Sequence, residues 1–337
     1  MSHPDSRSDI DCFHFRGLHP LIAIGTASDR YAGWQGTIYT AERYAGRISR
    51  RTHRVGGRSF VEEVLPVESS HEYFEHFPVL EIDYTFYHVL LEPDGRYSRT
   101  FSLLSKYREQ LHENDRIILK VPQAITAHRL REGTRFIDNP DYLNPVLFTE
   151  RFYNPVRELL GPHLGAFIFE QEYHRTNERI SAERAVALFD EFFSSIPSDD
   201  RYHVELRTAD YLTPEMFGLY ERTGIGQVLS HWTWLPSLSE QFRRADKKIF
   251  NRNKVSIIRL LTPRGMKYED AYVATHPFDS MIEGMLQPSM IEDTAAIMQH
   301  VVSAGGSAVV IVNNRSGGNA PMIAQQIARR FLALSHS

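Results

Sequence analysis

Eight short apolar runs, each closed by a polar or charged residue, recur along the chain. The clearest are Ile117-Ile118-Leu119 ending at Lys120, Tyr202-His203-Val204 ending at Glu205, and Val309-Val310-Ile311-Val312 ending at Asn313-Asn314. A parallel strand buried on both faces reads as a near-continuous apolar run. In a closed β/α barrel the carboxyl ends of such strands converge on one mouth, where barrels carry their chemistry. The runs fall at Leu21–Ile24, Val79–Asp83, Ile117–Val121, Ala166–Phe169, Tyr202–Glu205, Gly226–Leu229, Val255–Leu260 and Ala308–Val312. Amphipathic stretches lie between most of them. Thr213-Pro214 predicts a helix N-cap, Ser69–Glu72 and Ser289–Glu292 fit the capping box, and Ser181–Ile196 places Ala185, Leu188, Phe189 and Phe192 on one helical face.

These units predict an α/β fold, a closed (β/α)8 TIM-like barrel forming one domain over residues 19–335 behind a flexible N-terminal tail over residues 1–18. An open doubly wound sheet would want a Gly-x-Gly-x-x-Gly turn after an early strand, and none follows Ile24. The 337 residues are 42% hydrophobic, enough for a large core. A net charge of -4 argues against a dedicated nucleic-acid binder, so that partner is not favoured. The one cysteine, Cys12, excludes an internal disulfide, as expected of a reducing compartment. No apolar stretch approaches the roughly 18 residues of a membrane span, and Met1–Asp11 lacks the pattern of a secretory signal. The expected setting is the cytoplasm. Two stretches exceed the minimal plan. Thr40–Glu68 is rich in arginine (Arg43, Arg47, Arg50, Arg51, Arg54, Arg58), and Arg131–Leu143 is a second polar insertion. The arginines can recruit an anionic substrate or a polyanion, or simply form a solvated loop.

The chain resembles the YecE-like family, a group known only as a domain of unknown function, from about Ile22 to Phe331. The matching residues are Ile24-Gly25-Thr26, Trp34-Gln35-Gly36 with Tyr39, Glu81-Ile82-Asp83-Tyr84-Thr85-Phe86-Tyr87, Lys120-Val121-Pro122, Ile125-Thr126-Ala127-His128, Leu164-Gly165 leading to Phe169, Val204-Glu205-Leu206-Arg207, and Asn313-Asn314 with Gly318 and Ala320. The resemblance implies a β/α barrel and brings no reaction with it. The chain departs from the family pattern at Ala27-Ser28-Asp29, Asp83, Phe169–Glu172 and Thr208–Tyr211.

Lys120, closing an apolar run, needs an acidic partner among Glu81, Asp83 and Glu205, or serves as a base, nucleophile or fixed cation. Glu81 and Asp83 stand two apart on one strand, so both are expected on one face, where repulsion would hold one protonated. Together with Glu205 they are the catalytic candidates. Arg207 and Arg259 suit a bidentate grip on an anion. Asn313–Asn319 resembles an anion site at a helix start, with Asn313 and Asn314 facing the ligand, although Asn319 as an N-cap explains the same glycines. Tyr87 and Trp34 are candidate pocket walls, and His128 and His231 candidate acid–base groups. No His-Glu-x-x-His, cysteine-ligand spacing, P-loop or nucleophile elbow is present, so the sequence names no cofactor.

Three functions are in play. The first is an enzyme (a lyase, isomerase or hydrolase) acting on a small anionic molecule by lysine–carboxylate chemistry. The alternative is a divalent-metal hydrolase of phosphoesters or nucleic-acid fragments using Glu81, Asp83, Glu170, Glu205 and His231. The third is a non-catalytic ligand-binding barrel.

Overall fold

Strands β1 (Ile22–Ala27), β2 (Val79–Ile82), β3 (Arg116–Lys120), β4 (Leu164–Gln171), β5 (Tyr202–Leu206), β6 (Gly226–His231), β7 (Val255–Leu260) and β8 (Ser307–Val312) pair in parallel in chain order. β1 also pairs with β8, from Ile22 opposite Ala308 to Thr26 opposite Val312, which closes the barrel. This computed structural model describes residues 6–133 and 135–335. The chain is therefore the single-domain α/β barrel that the apolar runs predict. Each predicted strand is present. β1 runs on to Ala27, β4 to Gln171 and β6 to His231, whereas β2 stops at Ile82.

Side chains alternate across each strand, so one parity faces the lumen and the other the helices. Ala27, Val79, Ile118, Ala166, Ile168, Val228, Ile257 and Ile311 form a separate buried cluster that fills the lumen. The opposite parity, including Ile24, Leu80, Leu119, Phe167, Val204, Ile258 and Val310, joins the large core shared with the helices. Continuing the lumen parity toward the carboxyl ends gives Glu81, Lys120, Glu170, Glu205, Ser230, Arg259 and Asn313. A hydrocarbon lumen is thus capped by a polar layer, and that layer positions the site.

The two insertions are antiparallel hairpins: Ser49–Val55 with Arg58–Val64, and Arg129–Glu132 with Arg135–Asp138. Thr134 lies outside the described residues. In the first hairpin the arginines are exposed; Arg50 pairs with Glu63 at 2.8 Å, and beyond it Arg47 pairs with Glu68 at 3.1 Å. The hairpin docks sideways: Tyr272 Oη donates to Glu62 Oε1, and Phe60 packs edge-on to Tyr272. The segment read as a tail is structured from Ser6 onward. Helix Ser6–Asp11 lies on helix Ala320–Ser335, where Arg329 bonds Asp11 at 2.6 Å, and Ile10 and Phe15 are buried. Residues 1–5 lie outside the described residues. Among the described residues no helix is long and apolar enough to cross a membrane.

Local signals were mixed. Thr213 caps its helix as predicted, its Oγ1 accepting from Met216 N, and Ser181 caps the next-earlier helix, its Oγ accepting from Arg184 N. Neither capping box forms. Glu72 instead accepts from Thr40 N and Thr40 Oγ1, at 3.1 and 2.6 Å. Pro288 takes the first position of the later helix, with Gln287 at the N-cap, so Ser289 falls inside the first turn.

Gly25 pairs with Val79 across β1 and β2, and a Cβ on it would stand 2.0 Å from the Val79 carbonyl oxygen. The contact is with backbone, which cannot rotate away. Gly25→Ala is expected to destabilise the barrel by about 1–3 kcal/mol, read as a lower urea midpoint at unchanged slope. An unchanged midpoint would refute this packing of β1 on β2.

Candidate functional site

At the barrel mouth three carboxylates meet three cations. Arg259 on β7 grips Glu81 on β2 with two hydrogen bonds, Nε to Oε2 at 2.7 Å and Nη2 to Oε1 at 2.5 Å. Its remaining nitrogen, Nη1, donates to Glu205 Oε2 on β5 and lies 3.5 Å from Glu170 Oε2 on β4. Arg207, just past β5, donates through Nη2 to Glu170 at 2.6 Å and to Glu205 at 3.2 Å. Lys120 at the end of β3 completes the set, its Nζ 2.8 Å from Glu170 Oε2. Ser230 Oγ donates to Glu205 Oε1. The network is electrically neutral. Isolated, any of these groups would be costly in the interior; paired and hydrogen-bonded they are tolerated there.

The electrostatics follow the geometry. Burial opposes charge on Arg259, but Glu205 and Glu81 outweigh it and hold its pKa above the ordinary guanidinium value. Burial likewise opposes charge on Glu170; Arg207, Lys120 and Arg259 outweigh it and hold the carboxyl well below the usual range. Burial pushes Glu81 up, with Arg259 pulling against it. Only the upper part of the network reaches solvent. Side-chain exposure is 11% for Lys120, 14% for Glu170 and 9% for Arg207, against 0% for Glu81 and Glu205. Aromatic faces flank the exposed cations: Lys120 Nζ sits 3.8 Å from the Phe86 ring centre, and the Arg207 guanidinium 4.8 Å from that of Trp232.

Four of the sequence candidates, Glu81, Lys120, Glu205 and Arg259, therefore meet, and Arg207 joins them. The others have different employment. Asp83 leaves the strand parity, because β2 ends at Ile82 and Asp83 turns into helical φ/ψ before the 3-10 turn Tyr84–Tyr87; it accepts from Ser28 Oγ at 3.0 Å. Trp34 is fully buried and donates through Nε1 to Asn314 Oδ1 at 3.1 Å, so it is no pocket wall. Asn313 Oδ1 accepts from Arg315 N, and Asn314 Oδ1 from Ala320 N as well as Trp34. Asn319 Oδ1 caps Met322 N. The N–H groups of Ala320 and Met322, expected to hold an anion, are thus taken by side chains. Tyr87 is 62% exposed on the rim. His128 packs on Tyr142 and His174 away from the network. His231 is buried against Gln287, and burial lowers its pKa to about 4.

Sequence reading undervalued Glu170, the hub that touches all three cations, and missed Arg315. Arg315 stacks on Tyr268 at 4.3 Å and makes no ion pair among the described residues. Among the described residues no set of three or more His, Cys, Asp or Glu side chains is gathered to hold a metal ion. Of the carboxylates named for that role, Glu81, Glu170 and Glu205 are gripped by guanidinium and ammonium groups, and Asp83 is turned away onto Ser28, so the donor set of the metal alternative does not form.

Beside Glu81 a cavity of about 730 Å³ opens between the loop after β1, the first hairpin and residues 276–279. Asp29 and Arg30 line it. Asp29 is buried, its Oδ1 accepting from Tyr107 Oη at 2.7 Å. Burial raises its pKa from 3.8 to about 6, with Arg30 and the Tyr107 bond opposing.

A closed β/α barrel whose lumen ends in a neutral, partly accessible ionic layer is the class of protein that this geometry defines. The chain belongs to the family described as "Protein of unknown function DUF72", which it matches over residues 23–336. It is similar in fold to a DUF72 family protein of Enterococcus faecalis, at 15% identity and TM-score 0.55, covering 92% of this chain and 95% of that one. It is likewise similar to a DUF72 family protein of Thermotoga maritima, at 12% identity and TM-score 0.52, covering 94% and 100%. No curated protein matches it.

Because the folded pKa of Asp29 lies above its ordinary value, its proton-linked stability is complete below pH 3.8 and is lost as pH rises through about 6. Asp29→Asn is expected to match the parent at about pH 4 and to exceed it by up to about 3 kcal/mol at about pH 8, measured by urea denaturation. A difference that does not vary with pH would contradict this.

Proposed function

We propose that the chain is an enzyme whose mouth binds a small polar substrate carrying an anionic group and moves a proton between that substrate and the Lys120–Glu170 pair. The observation that carries this reading is selective exposure. Of six networked charges, the ammonium and carboxylate that touch at 2.8 Å are the two most open to the mouth. A lysine and a carboxylate held together supply a donor and an acceptor on one face of a substrate. Glu81, Glu205 and Arg259 act below them as positioning residues, fixing Glu170 from beneath.

The anionic group is assigned to Lys120 and Arg315. Arg315 makes no ion pair among the described residues, and Lys120, although paired with Glu170, is the most exposed of the three networked cations. Among the described residues no hydrogen bond or ion pair joins the Arg-rich hairpin to the six charges. The YecE-like resemblance agrees with the family membership, and the lone cysteine suits the cytoplasm.

The test is calorimetric titration with inorganic phosphate, sugar phosphates and small hydroxy acids. At least one is expected to bind, with affinity falling tenfold or more in Lys120→Met and in Arg315→Met, a loss of about 1.4 kcal/mol each. Absence of binding across the panel, or affinity unaffected by both substitutions, would contradict the proposal.

A further inference from the structure

The cavity beside Glu81 holds polar groups that the network does not use. Asp29 is pinned on two sides, its carbonyl accepting from Tyr39 Oη at 2.8 Å and its Oδ1 from Tyr107 Oη at 2.7 Å. Its second oxygen, Oδ2, is buried without a protein partner, and so is Tyr84 Oη nearby. Arg30 follows directly in sequence and lines the same cavity, yet among the described residues its guanidinium makes no hydrogen bond or ion pair, with Asp29 or any other group. Arg30 and Asp29 nonetheless feel each other's charge. A buried acceptor without a donor is costly, and the arrangement persists because neighbouring contacts fix Asp29; Arg30 beside it is only partly buried.

The rest of the cavity has a different character. Tyr31 and Phe278 meet edge-to-face at 5.3 Å on one wall, and Val61 and Val64 of the hairpin add apolar surface. Gly33 lets the β1 loop touch the 276–279 loop, since a Cβ there would stand 2.6 Å from the Pro277 carbonyl oxygen. These walls bound a space of about 730 Å³, within the roughly 300–1,000 Å³ usual for small-molecule sites.

We propose that this cavity is a second binding site, for a free α-amino acid with an apolar or aromatic side chain. The ammonium group donates to Asp29 Oδ2 and Tyr84 Oη, the carboxylate accepts from Arg30, and the side chain lies along Tyr31, Phe278 and Val61. One zwitterion satisfies both unmatched charges, which neither a simple anion nor a simple amine does. The site is separate from the Lys120–Glu170 pair and stands whether or not that pair is catalytic.

Calorimetric titration of the full chain with L-phenylalanine, L-tyrosine and L-leucine tests it, with N-acetyl-L-phenylalanine and L-phenylalaninamide as probes lacking one charge each. At least one free amino acid is expected to bind with a Kd of about 1 mM or tighter, and both blocked derivatives at least tenfold more weakly. Arg30→Gln and Asp29→Asn, with folding checked by circular dichroism, are each expected to weaken the free amino acid tenfold or more. Asp29→Asn should cost the acetylated probe nothing further. No heat at about 10 mM from any of the three, blocked probes binding as well as the parent, or affinity indifferent to both substitutions would overturn the proposal. The blocked probes decide the matter on unaltered protein even if a substituted chain fails to fold.

Discussion

The mouth of this barrel is organised by Arg259. Its guanidinium spans the lumen from β7, takes both oxygens of Glu81 on β2, and reaches Glu205 on β5. Directly beneath it the strands turn a buried hydrocarbon cluster into the lumen. A charge placed directly above such a layer has little water to lean on, so its stability depends on partners supplied by other strands. Six side chains from five strands or their ends settle into one neutral arrangement, and removing any member exposes the desolvation cost of those that remain.

That constraint also shapes what the mouth can do. Charges locked in the lower layer are not free to grip a substrate, because their hydrogen-bonding capacity is spent. The upper members differ in degree: Lys120 and Glu170 touch each other and also face outward. The lower layer thus sets where the upper pair stands, and rigidity below is what gives the pair a defined geometry. The side cavity shows the opposite condition. There an acid and a base lie adjacent in sequence yet do not pair with each other, and Asp29 Oδ2 is buried without a protein partner.

Much of the fold was legible because a buried parallel strand writes itself as an apolar run, and the runs located all eight strands. The meeting of Glu81, Lys120, Glu205 and Arg259 was legible for the same reason, since each shares the lumen parity near the carboxyl end of its strand, Lys120 and Glu205 closing their apolar runs and Glu81 and Arg259 standing one residue before the strand ends. Asp83 was misread because the parity rule holds only while the strand continues. Thr85 Oγ1, bonded to the Lys120 carbonyl at 2.8 Å, anchors the turn that ends it. Asn313 and Asn314 were misread because polarity at a strand end cannot distinguish a ligand contact from a backbone tie, and here the side chains hold Arg315, Trp34 and Ala320. Asp29 and Arg30 gave no periodic signal. Their importance depends on a hairpin and on residues 276–279, far away along the chain, which build the cavity around them. The departures from the family pattern at Asp29 and Glu170 were the one mark that sequence left at both places.

The most direct test of the central claim is a double-mutant cycle between Arg259 and Glu81, read as stability in urea. Arg259→Met alone is expected to cost about 3–5 kcal/mol by leaving the buried Glu81 carboxylate without its cation, and adding Glu81→Gln is expected to recover a substantial part of that loss, because the second change removes the stranded charge. Additive losses, with no coupling between the two positions, would show that the guanidinium and the carboxylate do not meet across the barrel, and the account of the mouth would fail with them.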